Sequence, residues 1–343
     1  MPTLFEMIDA TNEIVESSAA GGPVRNFVMD PTASPDDWDF TTPIKPDEVT
    51  RIVRAAGRKA NPINKDVGTI LFKVPVNGEF VPVEMTTYRA EKYEKGSRRP
   101  SVEFITSLHD DLARRDFTIN AMAMGADHKV VDPFGGRKDL EDGVIRAVGS
   151  PRLRFEEDII RVLRGYRFVA RFGFAVEERT RAWMAKSVHR IVEQPKERWL
   201  KELDKMLVHP HIGVALRMMW EDGAFRFILP ELHEQFDYDQ HSPYHAFPLH
   251  EHTARVVEAT EPDIDLRWAA LLHDVGKPIS MTRKASGQQN YIHHAVIGAE
   301  LVEGIAQRMR WPKKRREFVV DTVRNHLEDD SPLKAADSGA QKV

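Results

Sequence analysis

The sequence predicts an α+β protein in which a small sheet domain is followed by two helical units. Three observations support this order. Residues 20–135 contain short β-rich runs, such as TILFKVPV and EFVPVEMTTY, that Pro and Gly interrupt. From about residue 137 the apolar residues recur at spacings of three and four, as in DIIRVLRGYRFVARF. A further helical pattern, which holds eight of the fourteen histidines, runs from about 240 to 327.

These changes of pattern predict four segments. A sheet domain covers residues 1–140, a helical neck and body covers 141–239, and a second helical unit covers 240–328. The tail at 329–343 is polar and lacks periodicity, so we expect it to be disordered. The loop-like run FDYDQHSPYHAFP separates the two helical segments.

Composition favours a soluble protein of a reducing compartment. The 343 residues are 41% hydrophobic and 30% charged, and they include no cysteine, which excludes disulfide bridges and thiolate metal sites. No apolar run approaches the roughly 18 residues of a membrane helix, and the acidic start MPTLFEMIDATNEIVE is unlike a signal peptide. We therefore expect a cytoplasmic location without membrane contact.

The net charge of −4 conceals a basic middle section. Residues 86–205 hold 25 Lys and Arg against 20 Asp and Glu, and acidic sections flank them. A polyanion would feel this asymmetry at short range, although a solvated helix surface explains it nearly as well.

The run DWDF, which begins at Asp37, places two acidic residues two positions apart. On a strand, Asp37 and Asp39 would point to the same side, about 7 Å apart, while Trp38 and Phe40 would pack inward. Two such carboxylates suit Mg²⁺, which binds oxygen ligands and completes its shell with water and phosphate. Glu84, on a later strand, is a third candidate ligand. The alternative interpretation is a turn rich in Asp, Ser and Pro.

Upstream of this pair, the run AAGGPVRNFV leads from two glycines into a helical pattern. Gly21 and Gly22 would allow backbone amides to approach a phosphate, and Arg25 would follow one turn later as a charged clamp. A glycine pair by itself is more often only a tight connection.

The run EEDIIRVLRGYRFVARF predicts a helix with an apolar face and an opposite face of arginines, which are Arg161, Arg164, Arg167 and Arg171. Asp158 and Arg161 would supply an acceptor and a forked donor in fixed geometry, which is what the hydrogen-bonding edge of a base requires. Ordinary ion pairs on a helix surface are the alternative.

Several of these motifs together resemble the tRNA nucleotidyltransferase (CCA-adding enzyme) and bacterial poly(A) polymerase family. The matching stretches are GGPVRN, DWDF, DLARRDFTINAMAM, DPFGGRKDLEDGVIRAVG, RFEEDIIRVLRGYRFVARFGF and ERWLKELDKML. The resemblance implies a polymerase-β-like nucleotidyltransferase sheet domain followed by a helical neck. It also implies template-independent addition of CMP and AMP, from CTP and ATP, to the 3′ end of tRNA with release of pyrophosphate.

The resemblance further implies roles for individual residues. Asp37 and Asp39 would hold Mg²⁺, and Glu84 would help to activate the RNA 3′-hydroxyl. Asp158 and Arg161 would pair with the incoming base. Arg115 and Asp116, in the run DLARRDFTIN, would form the contact to the ribose and the nucleotide. The full set of nucleotide-binding residues would be Gly22, Arg25, Arg115, Asp116, Asp158, Arg161, Arg164 and Arg167. The run DPFGGRKDL would be a hinge, with a capped glycine turn as the alternative.

Three runs of the last helical segment, LHEHTARVVE, AALLHDVGKP and YIHHAVIGAE, resemble the HD phosphohydrolase pattern. This resemblance implies a second site, for a transition metal, at His252, His273, Asp274 and His294. The late aspartate that usually completes the HD ligand set is not evident after VRNHLEDD, and His326 is a poor substitute for it. We therefore expect this HD-like unit to be a docking element with weakened or no hydrolase activity.

The leading hypothesis is CCA addition to tRNA, although Asn26 and Trp38 depart from the residues usual in the family. Within the same class, the alternatives are poly(A) addition and the addition of only C or only A residues. From another class, the alternatives are a metal-dependent phosphohydrolase of the HD type and an RNA-binding protein with a decayed site. The argument against decay is the retention of four residues, Asp37, Asp39, Asp158 and Arg161.

Overall fold

The computed structural model describes residues 1–32, 35, 37–64, 67–92, 101–241, 246–283, 285 and 289–340. The chain forms two compact units, Met1–Glu157 and Asp158–Val343. The first unit contains the large sheet and the second is mainly helical. None of the helices in the described residues combines the length and apolarity needed to span a bilayer.

The first unit is organised around a mixed sheet. Its strands are β1 (Ser18–Ala20), β2 (Asp39–Thr42), β3 (Asn61–Asn64), β4 (Thr69–Val76), β5 (Glu79–Thr87), β6 (Arg89–Lys92), β7 (Ser101–Phe104), β8 (Ala123–Met124), β9 (Val130–Val131) and β10 (Val144–Ile145). Seven of them form one sheet in the order β3-β4-β5-β2-β1-β8-β9, and β6 pairs with β7. Strand β2 is parallel to β5 and antiparallel to β1. The centre of the sheet is therefore a parallel pair.

The turn between β4 and β5 fixes how the sheet presents its acidic residues. Asn77 and Gly78 have φ values of 52° and 81°, the positive values that a two-residue hairpin turn requires and that Asn-Gly adopts readily. Because a turn of this type sets the register of the hairpin, it also sets the position of Glu84 along β5. In the pairing with β2, Glu84 lies opposite Asp39.

In the described part of this unit, six α-helices accompany the sheet: α1 (Leu4–Asn12), α2 (Gly22–Met29), α3 (Pro46–Ala55), α4 (Leu108–Ala113), α5 (Gly136–Glu141) and α6 (Pro151–Glu157). Helix α1 begins with a capping box between Thr3 and Glu6 and buries Met7 and Ile8. Helix α3 has a strongly amphipathic sequence, whose buried residues include Val49. Helices α1 and α3 pack against β4, and α2 packs against β1.

The second unit contains the helices α7 (Ile160–Phe172), α8 (Glu178–Ser187), α9 (Lys196–Leu207), α10 (Ile212–Glu221), α11 (Phe225–Ile228), α12 (Pro230–His233), α13 (Leu249–Ala259), α14 (Ile264–Leu272), α15 (Lys277–Ser280), α16 (His294–Arg308), α17 (Lys313–Arg324) and α18 (Lys334–Ala340). Its short strands are β11 (Ala175–Val176), β12 (Thr282–Arg283) and β13 (Gln289–Asn290). Large buried side chains hold these helices together, among them Tyr166, Trp220 and Trp268. The Arg267 side chain donates to the carbonyl oxygens at the end of α9, which joins α14 to that helix.

Residues 141–157 group with the sheet, although the sequence pattern assigned them to the helical neck. The backbone explains this difference. Thr118 donates its N–H to the Arg146 carbonyl oxygen, and Val148 donates to the Asp116 carbonyl oxygen. Arg154 also donates to the Ala113 carbonyl oxygen at 2.9 Å. Helical periodicity depends on the spacing of apolar residues along the chain, so it could not reveal these long-range contacts.

The run EEDIIRVLRGYRFVARF does not form one continuous helix, because α6 ends at Glu157 and α7 begins at Ile160. The Asp158 carboxylate accepts the Ile160 N–H at 3.1 Å, so its side chain takes the place of a helical hydrogen bond. Arg161, which the sequence pattern places on the face opposite the apolar one, is buried, at 8% exposure. Arg167 is half-buried because it pairs with Glu202 of α9 at 2.9 Å.

Residues 334–340, in the tail that was expected to be disordered, form helix α18. The helix is held by the buried side chains of Leu333 and Ala340, and the Lys334 ammonium donates to the Leu327 carbonyl oxygen at 3.0 Å. Its sequence, KAADSGA, is short and made mostly of small residues, so it carries no amphipathic signal. Residues 341–343 lie outside the described part of the chain.

Candidate functional site

Acidic side chains line one face of the sheet at the β2–β5 pair. Exposure alternates from Asp37 to Phe40, with both aspartates exposed and with Trp38 and Phe40 at 7% and 2% exposure. Strand β2 begins at Asp39, so Asp37 lies two residues earlier, just outside the strand. The Glu84 side chain is also exposed. Parallel pairing of Asp39 with Glu84 thus brings two carboxylates from neighbouring strands to the same level of the sheet.

This acidic face is open. Among the residues the structure describes, both groups of three ligand atoms within 4.8 Å of one another lie in the second unit. Asp37, Asp39 and Glu84 therefore do not form a closed cluster by themselves. Three exposed carboxylates nevertheless fit a hard divalent cation, which completes its coordination with water and phosphate oxygens.

The glycine turn lies at the start of α2. Gly21 has a φ of 73°, a conformation that favours glycine, and a Cβ at this position would lie 2.7 Å from an Arg115 guanidinium nitrogen. Gly22 is the first residue of α2, and Pro23 follows in the first turn. The positive φ and the nearby Arg115 side chain therefore both favour glycine at position 21.

Arg25 is not an exposed clamp, because its side chain is only 4% exposed. Its guanidinium donates to Asn120 Oδ1 at 2.6 Å and to Asn26 Oδ1 at 2.8 Å. Asn26, the departure from the family pattern, thus lies directly against Arg25. The two amide oxygens fix the orientation of the guanidinium group.

Arg115 and Asp116 are adjacent in the chain but contact different residues. Arg115 approaches the buried Asp111 carboxylate at 3.6 Å, and burial lowers the pKa of the Arg115 guanidinium although the charge of Asp111 opposes that change. Asp116 accepts the Phe117 N–H at 2.8 Å and the Asn120 side-chain amide at 3.1 Å. Asp116 is itself buried, at 6% exposure. Neither Asn120 nor Asp111 was singled out from the sequence, since buried polar partners carry no periodic signal.

The run expected to be a hinge is anchored at both ends. Asp132 accepts the backbone N–H groups of Gly136 and Arg137, which caps α5. A Cβ on Gly136 would lie 2.3 Å from the Thr118 carbonyl oxygen, so α5 packs directly against the turn that carries Asp116. The Thr118 hydroxyl donates to Asp139 at 2.6 Å. The capped glycine turn is therefore present here.

The predicted base-reading residues belong to the second unit and are described within it. The Asp158 carboxylate pairs with Arg198 of α9 at 2.9 Å. Arg161 donates its backbone N–H to the Asp158 carbonyl oxygen at 3.1 Å, so the two residues share one turn. Arg164 is half-buried on the next turn of α7, with its guanidinium carbon 5.8 Å from the centre of the Phe168 ring. Arg198 was not singled out from the sequence because it lies 40 residues from Asp158.

A cluster of imidazole and carboxylate groups is buried in the last part of the chain. We call it the HD cluster, and its members are His252, His273, Asp274, His294, His326 and Asp337. Two sets of three ligand atoms within 4.8 Å share Asp274: one adds His252 and His273, and the other adds His294 and His326. Asp274 therefore lies between two groups of histidines, as a bridging carboxylate would.

Two expectations about this cluster were wrong. The late aspartate is present as Asp337, whose carboxylate lies 3.0 Å from His252 Nε2. It is carried by α18, the helix that the sequence pattern did not predict. His326 also belongs to the cluster, because its Nε2 lies 3.2 Å from that of His294. The four residues named from the sequence thus form part of a larger set.

The histidine rings are oriented by backbone carbonyl groups. Nδ1 of His273, His294 and His326 each lies 2.7 Å from the carbonyl oxygen three residues earlier. A nitrogen this close to a carbonyl oxygen donates its proton to it, so Nε2 of each ring faces the centre of the cluster. Oriented imidazoles of this kind are typical of metal ligands.

Burial and charge together change the acidity of this cluster. Burial alone would raise the pKa of the Asp274 carboxyl, but the charges of His273 and Lys277 hold it well below its usual value. Burial alone would lower the pKa of His252, yet hydrogen bonds with Asp274 and Asp337 raise it to about 9. For His326, burial lowers the pKa to about 4. The cluster therefore combines carboxylates that stay ionised with one imidazole whose pKa is raised, His252, and one whose pKa is lowered, His326.

A cavity of about 330 Å³ adjoins the HD cluster. Its lining includes members of the HD cluster, such as Asp274 and His294, together with Lys277, Tyr291 and Leu327. The Lys277 ammonium lies 2.7 Å from Asp274 and donates to Gln240 Oε1 at 2.9 Å. A small anionic molecule would meet both a cation and the cluster in this space.

Comparison with known proteins identifies the family. The profile of the poly A polymerase head domain matches residues 18–146, that of the probable RNA and SrmB-binding site of polymerase A matches 173–236, and that of the HD domain matches 249–340. The multifunctional CCA protein of Neisseria gonorrhoeae is 32% identical over 326 residues, which are 91% of this chain and 74% of that protein. The chain belongs to the tRNA nucleotidyltransferase and poly(A) polymerase family.

Other relatives in the family are similar over shorter parts. The CCA-adding enzyme of Bacillus subtilis (strain 168) is 35% identical over 277 residues, 80% of this chain and 64% of that enzyme. That of Geobacillus sp. (strain WCH70) is 35% identical over 221 residues, 64% of this chain and 52% of that enzyme. The chain thus spans about half to two thirds of the length of these two curated relatives.

Solved structures of the family have the same fold. The Bacillus stearothermophilus CCA-adding enzyme in complex with CTP aligns with a TM-score of 0.64 at 24% identity, over 97% of this chain and 80% of that one. A tRNA nucleotidyltransferase complexed with a primer tRNA and an incoming ATP analog aligns with a TM-score of 0.59 at 22% identity, over 96% and 86% of the two chains. These likenesses confirm the predicted α+β fold, a sheet domain followed by helical regions and an HD domain.

Proposed function

We propose that this member of the family is a template-independent nucleotidyltransferase that adds CMP and AMP, from CTP and ATP, to the 3′ end of tRNA. The observation that carries this proposal is the pairing of Asp39 with Glu84 on parallel strands, with Asp37 exposed two residues before Asp39. This arrangement supports a phosphoryl-transfer site on a family scaffold. The names of the relatives and the CTP, ATP-analog and tRNA complexes of the solved structures favour the same activity.

In this proposal Asp37 and Asp39 hold Mg²⁺, and Glu84 assists the RNA 3′-hydroxyl that attacks the α-phosphate. A divalent cation held there would neutralise charge on the triphosphate and would lower the pKa of the attacking hydroxyl. The protein contributes position and charge, so no nucleophilic side chain is required.

The residues of the glycine turn serve the nucleotide. The backbone at Gly22 and the Arg25 side chain lie on the triphosphate side, and Arg115 and Asp116 contact the ribose. In the second unit, Asp158 and Arg161 read the base, and Arg164 and Arg167 add positive charge. Protein contacts orient some of these guanidinium groups, as Asn120 does for Arg25 and Glu202 does for Arg167, and an oriented group loses little freedom on binding a ligand.

The decisive test is incubation with tRNA that lacks its terminal CCA, in the presence of Mg²⁺ and each labelled triphosphate. Ordered incorporation of two C residues and one A residue is the expected result. Long A tails would assign poly(A) polymerase activity instead, and incorporation of only C or only A would assign a partial reaction. No incorporation under any of these conditions would contradict the proposal.

A second candidate function, metal-dependent phosphohydrolysis, rests on the HD cluster. Six imidazole and carboxylate groups suit transition-metal ions, and the sharing of Asp274 by two ligand sets favours two ions. Such ions would activate water and neutralise charge on a phosphate. The neighbouring cavity, with Lys277 on its wall, fits a phosphate-bearing molecule.

The HD candidate is tested by metal analysis and by phosphate release from p-nitrophenyl phosphate with Mn²⁺ or Ni²⁺. The expected result is bound metal and phosphate release that Asp39→Asn does not reduce, because Asp39 lies on the sheet. Absence of bound metal after incubation with either ion would reject this second function.

A further inference from the structure

Asn120 connects residues that the proposed function places on different parts of the nucleotide. It ends the single-turn 3-10 helix Thr118–Asn120, and its side chain is 6% exposed. The amide oxygen accepts from Arg25 at 2.6 Å, and the amide nitrogen donates to Asp116 at 3.1 Å. The Asn120 backbone carbonyl oxygen also accepts from Arg115 at 3.4 Å. One residue therefore contacts all three.

The chemistry at this position requires an amide. The group must accept from a guanidinium on one side and donate to a carboxylate on the other. An aspartate at 120 would still accept from Arg25, but it would place a second carboxylate beside the buried Asp116. An alanine would remove both bonds. Arg25 would keep its bond to Asn26 and Asp116 would keep the Phe117 N–H, but the link that joins the two side chains would be lost.

The turn that carries Asn120 is itself firmly held. The Thr118 backbone N–H bonds to the Arg146 carbonyl oxygen at 2.9 Å, and its hydroxyl bonds to Asp139 at 2.6 Å. Gly136 leaves no room for a side chain between α5 and the Thr118 carbonyl oxygen. The contacts of Thr118 with Arg146, Asp139 and α5 thus hold the backbone that carries Asn120, and the Asn120 amide group bonds to Arg25 and Asp116.

We propose that Asn120 is a positioning residue for the incoming nucleotide, which fixes Arg25 on the triphosphate side relative to Asp116 on the ribose side. This proposal rests on the proposed nucleotidyltransferase function. Asn120 need not touch the nucleotide, because it acts through the two side chains that it joins. Its loss should affect nucleotide affinity and recognition of the ribose more than the stability of the fold.

The test compares Asn120→Asp with the wild type and with Asn77→Asp. The control is matched because the Asn77 amide also donates to a carboxylate, that of Glu6 at 3.2 Å, but on the exposed hairpin turn. Equilibrium titration measures the affinity for CTP and for 2′-deoxy-CTP with Mg²⁺. Steady-state incorporation gives KM and kcat, and thermal unfolding reports the fold.

For Asn120→Asp we expect CTP affinity to fall about 10- to 100-fold, since hydrogen bonds to charged groups are involved. We also expect KM to rise more than kcat falls and the preference for CTP over 2′-deoxy-CTP to shrink. Asn77→Asp should behave as the wild type, because Asp-Gly adopts the same hairpin turn as Asn-Gly and keeps the register that positions Glu84. If Asn120→Asp proves unfolded, Asn120→Ala, which introduces no charge, replaces it with the same expectations.

A folded Asn120 variant with wild-type affinity and wild-type ribose preference would overturn the proposal. An equal loss for CTP and 2′-deoxy-CTP, in proportion to a lower Tm, would also overturn it in favour of a purely structural role. The titration needs no RNA. Failure of the wild type to incorporate nucleotides would therefore count against the proposed function alone, whereas the comparison of nucleotide affinities would still decide the role of Asn120.

Discussion

Removal of the Arg198 side chain is expected to weaken the choice between CTP and ATP while leaving the fold nearly unchanged. Arg198 donates to one oxygen of the Asp158 carboxylate at 2.9 Å, and the other oxygen accepts the Ile160 N–H at 3.1 Å. In Arg198→Ala the carboxylate keeps only the second contact. The acceptor that we assign to base recognition is then free to rotate.

The loss of Arg198 should cost less in the free energy of unfolding than in the free energy that discriminates one base from another. The side chains of Arg198 and Asp158 are 45% and 26% exposed, and ion pairs of such exposure contribute about 0.2–1 kcal/mol to the free energy of unfolding. A well-placed bidentate contact to a base contributes about 1–3 kcal/mol of discrimination. Since about 1.4 kcal/mol corresponds to a factor of ten, we expect a roughly tenfold loss of selectivity with a small change in Tm.

The assay uses tRNA that ends before the first C and measures kcat/KM for CTP and for ATP. Arg190→Ala is the matched control, because Arg190 forms a surface pair with Glu193 at 3.2 Å in the same unit. The reasoning is refuted if Arg198→Ala retains the wild-type ratio of CTP to ATP. It is equally refuted if Arg190→Ala changes that ratio as much.

Three other changes have expected outcomes. Gly21→Ala should lower the free energy of unfolding, measured by denaturant titration, by about 1–3 kcal/mol, because Gly21 has positive φ and Arg115 occupies the space of a Cβ. Gly57 also has positive φ but has open space around it, so Gly57→Ala should lower the free energy of unfolding less. His326→Ala should reduce the bound transition metal from two ions per chain to one by elemental analysis, and an unchanged content would exclude the shared-ligand arrangement. Asp337→Asn should weaken metal affinity about 10- to 100-fold by competition with a chelator, whereas unaltered affinity would remove Asp337 from the ligand set.

The sequence predicted features that arise from local patterns. Strand alternation placed Asp39 on the exposed side and Phe40 in the core, because the period of two is a property of any strand. The glycine pair before a helical pattern identified Gly21 as part of a turn, and its positive φ is a local property of that turn. The order of sheet and helical units followed from the change of period.

Features that depend on long-range packing could not be predicted from those patterns. Arg161 lies on the polar side of its helix by sequence, yet it is buried. Asp337 completes the HD cluster from a short helix whose small residues give no periodic signal. Asn120 and Arg198 act through partners 95 and 40 residues away, and no spacing rule relates residues at such separations.

The central claim is that the carboxylates of Asp37 and Asp39 hold the divalent ions of nucleotide transfer, and Asp39→Asn tests it most directly. The change keeps the size of the side chain and removes its charge, while Asp47→Asn makes the same change on the exposed first turn of α3 as a control. We predict that Asp39→Asn lowers the rate of incorporation into CCA-less tRNA by at least about 100-fold at saturating Mg²⁺, with an unchanged Tm and with Asp47→Asn fully active. Incorporation by Asp39→Asn at a rate close to that of the wild type would contradict the claim.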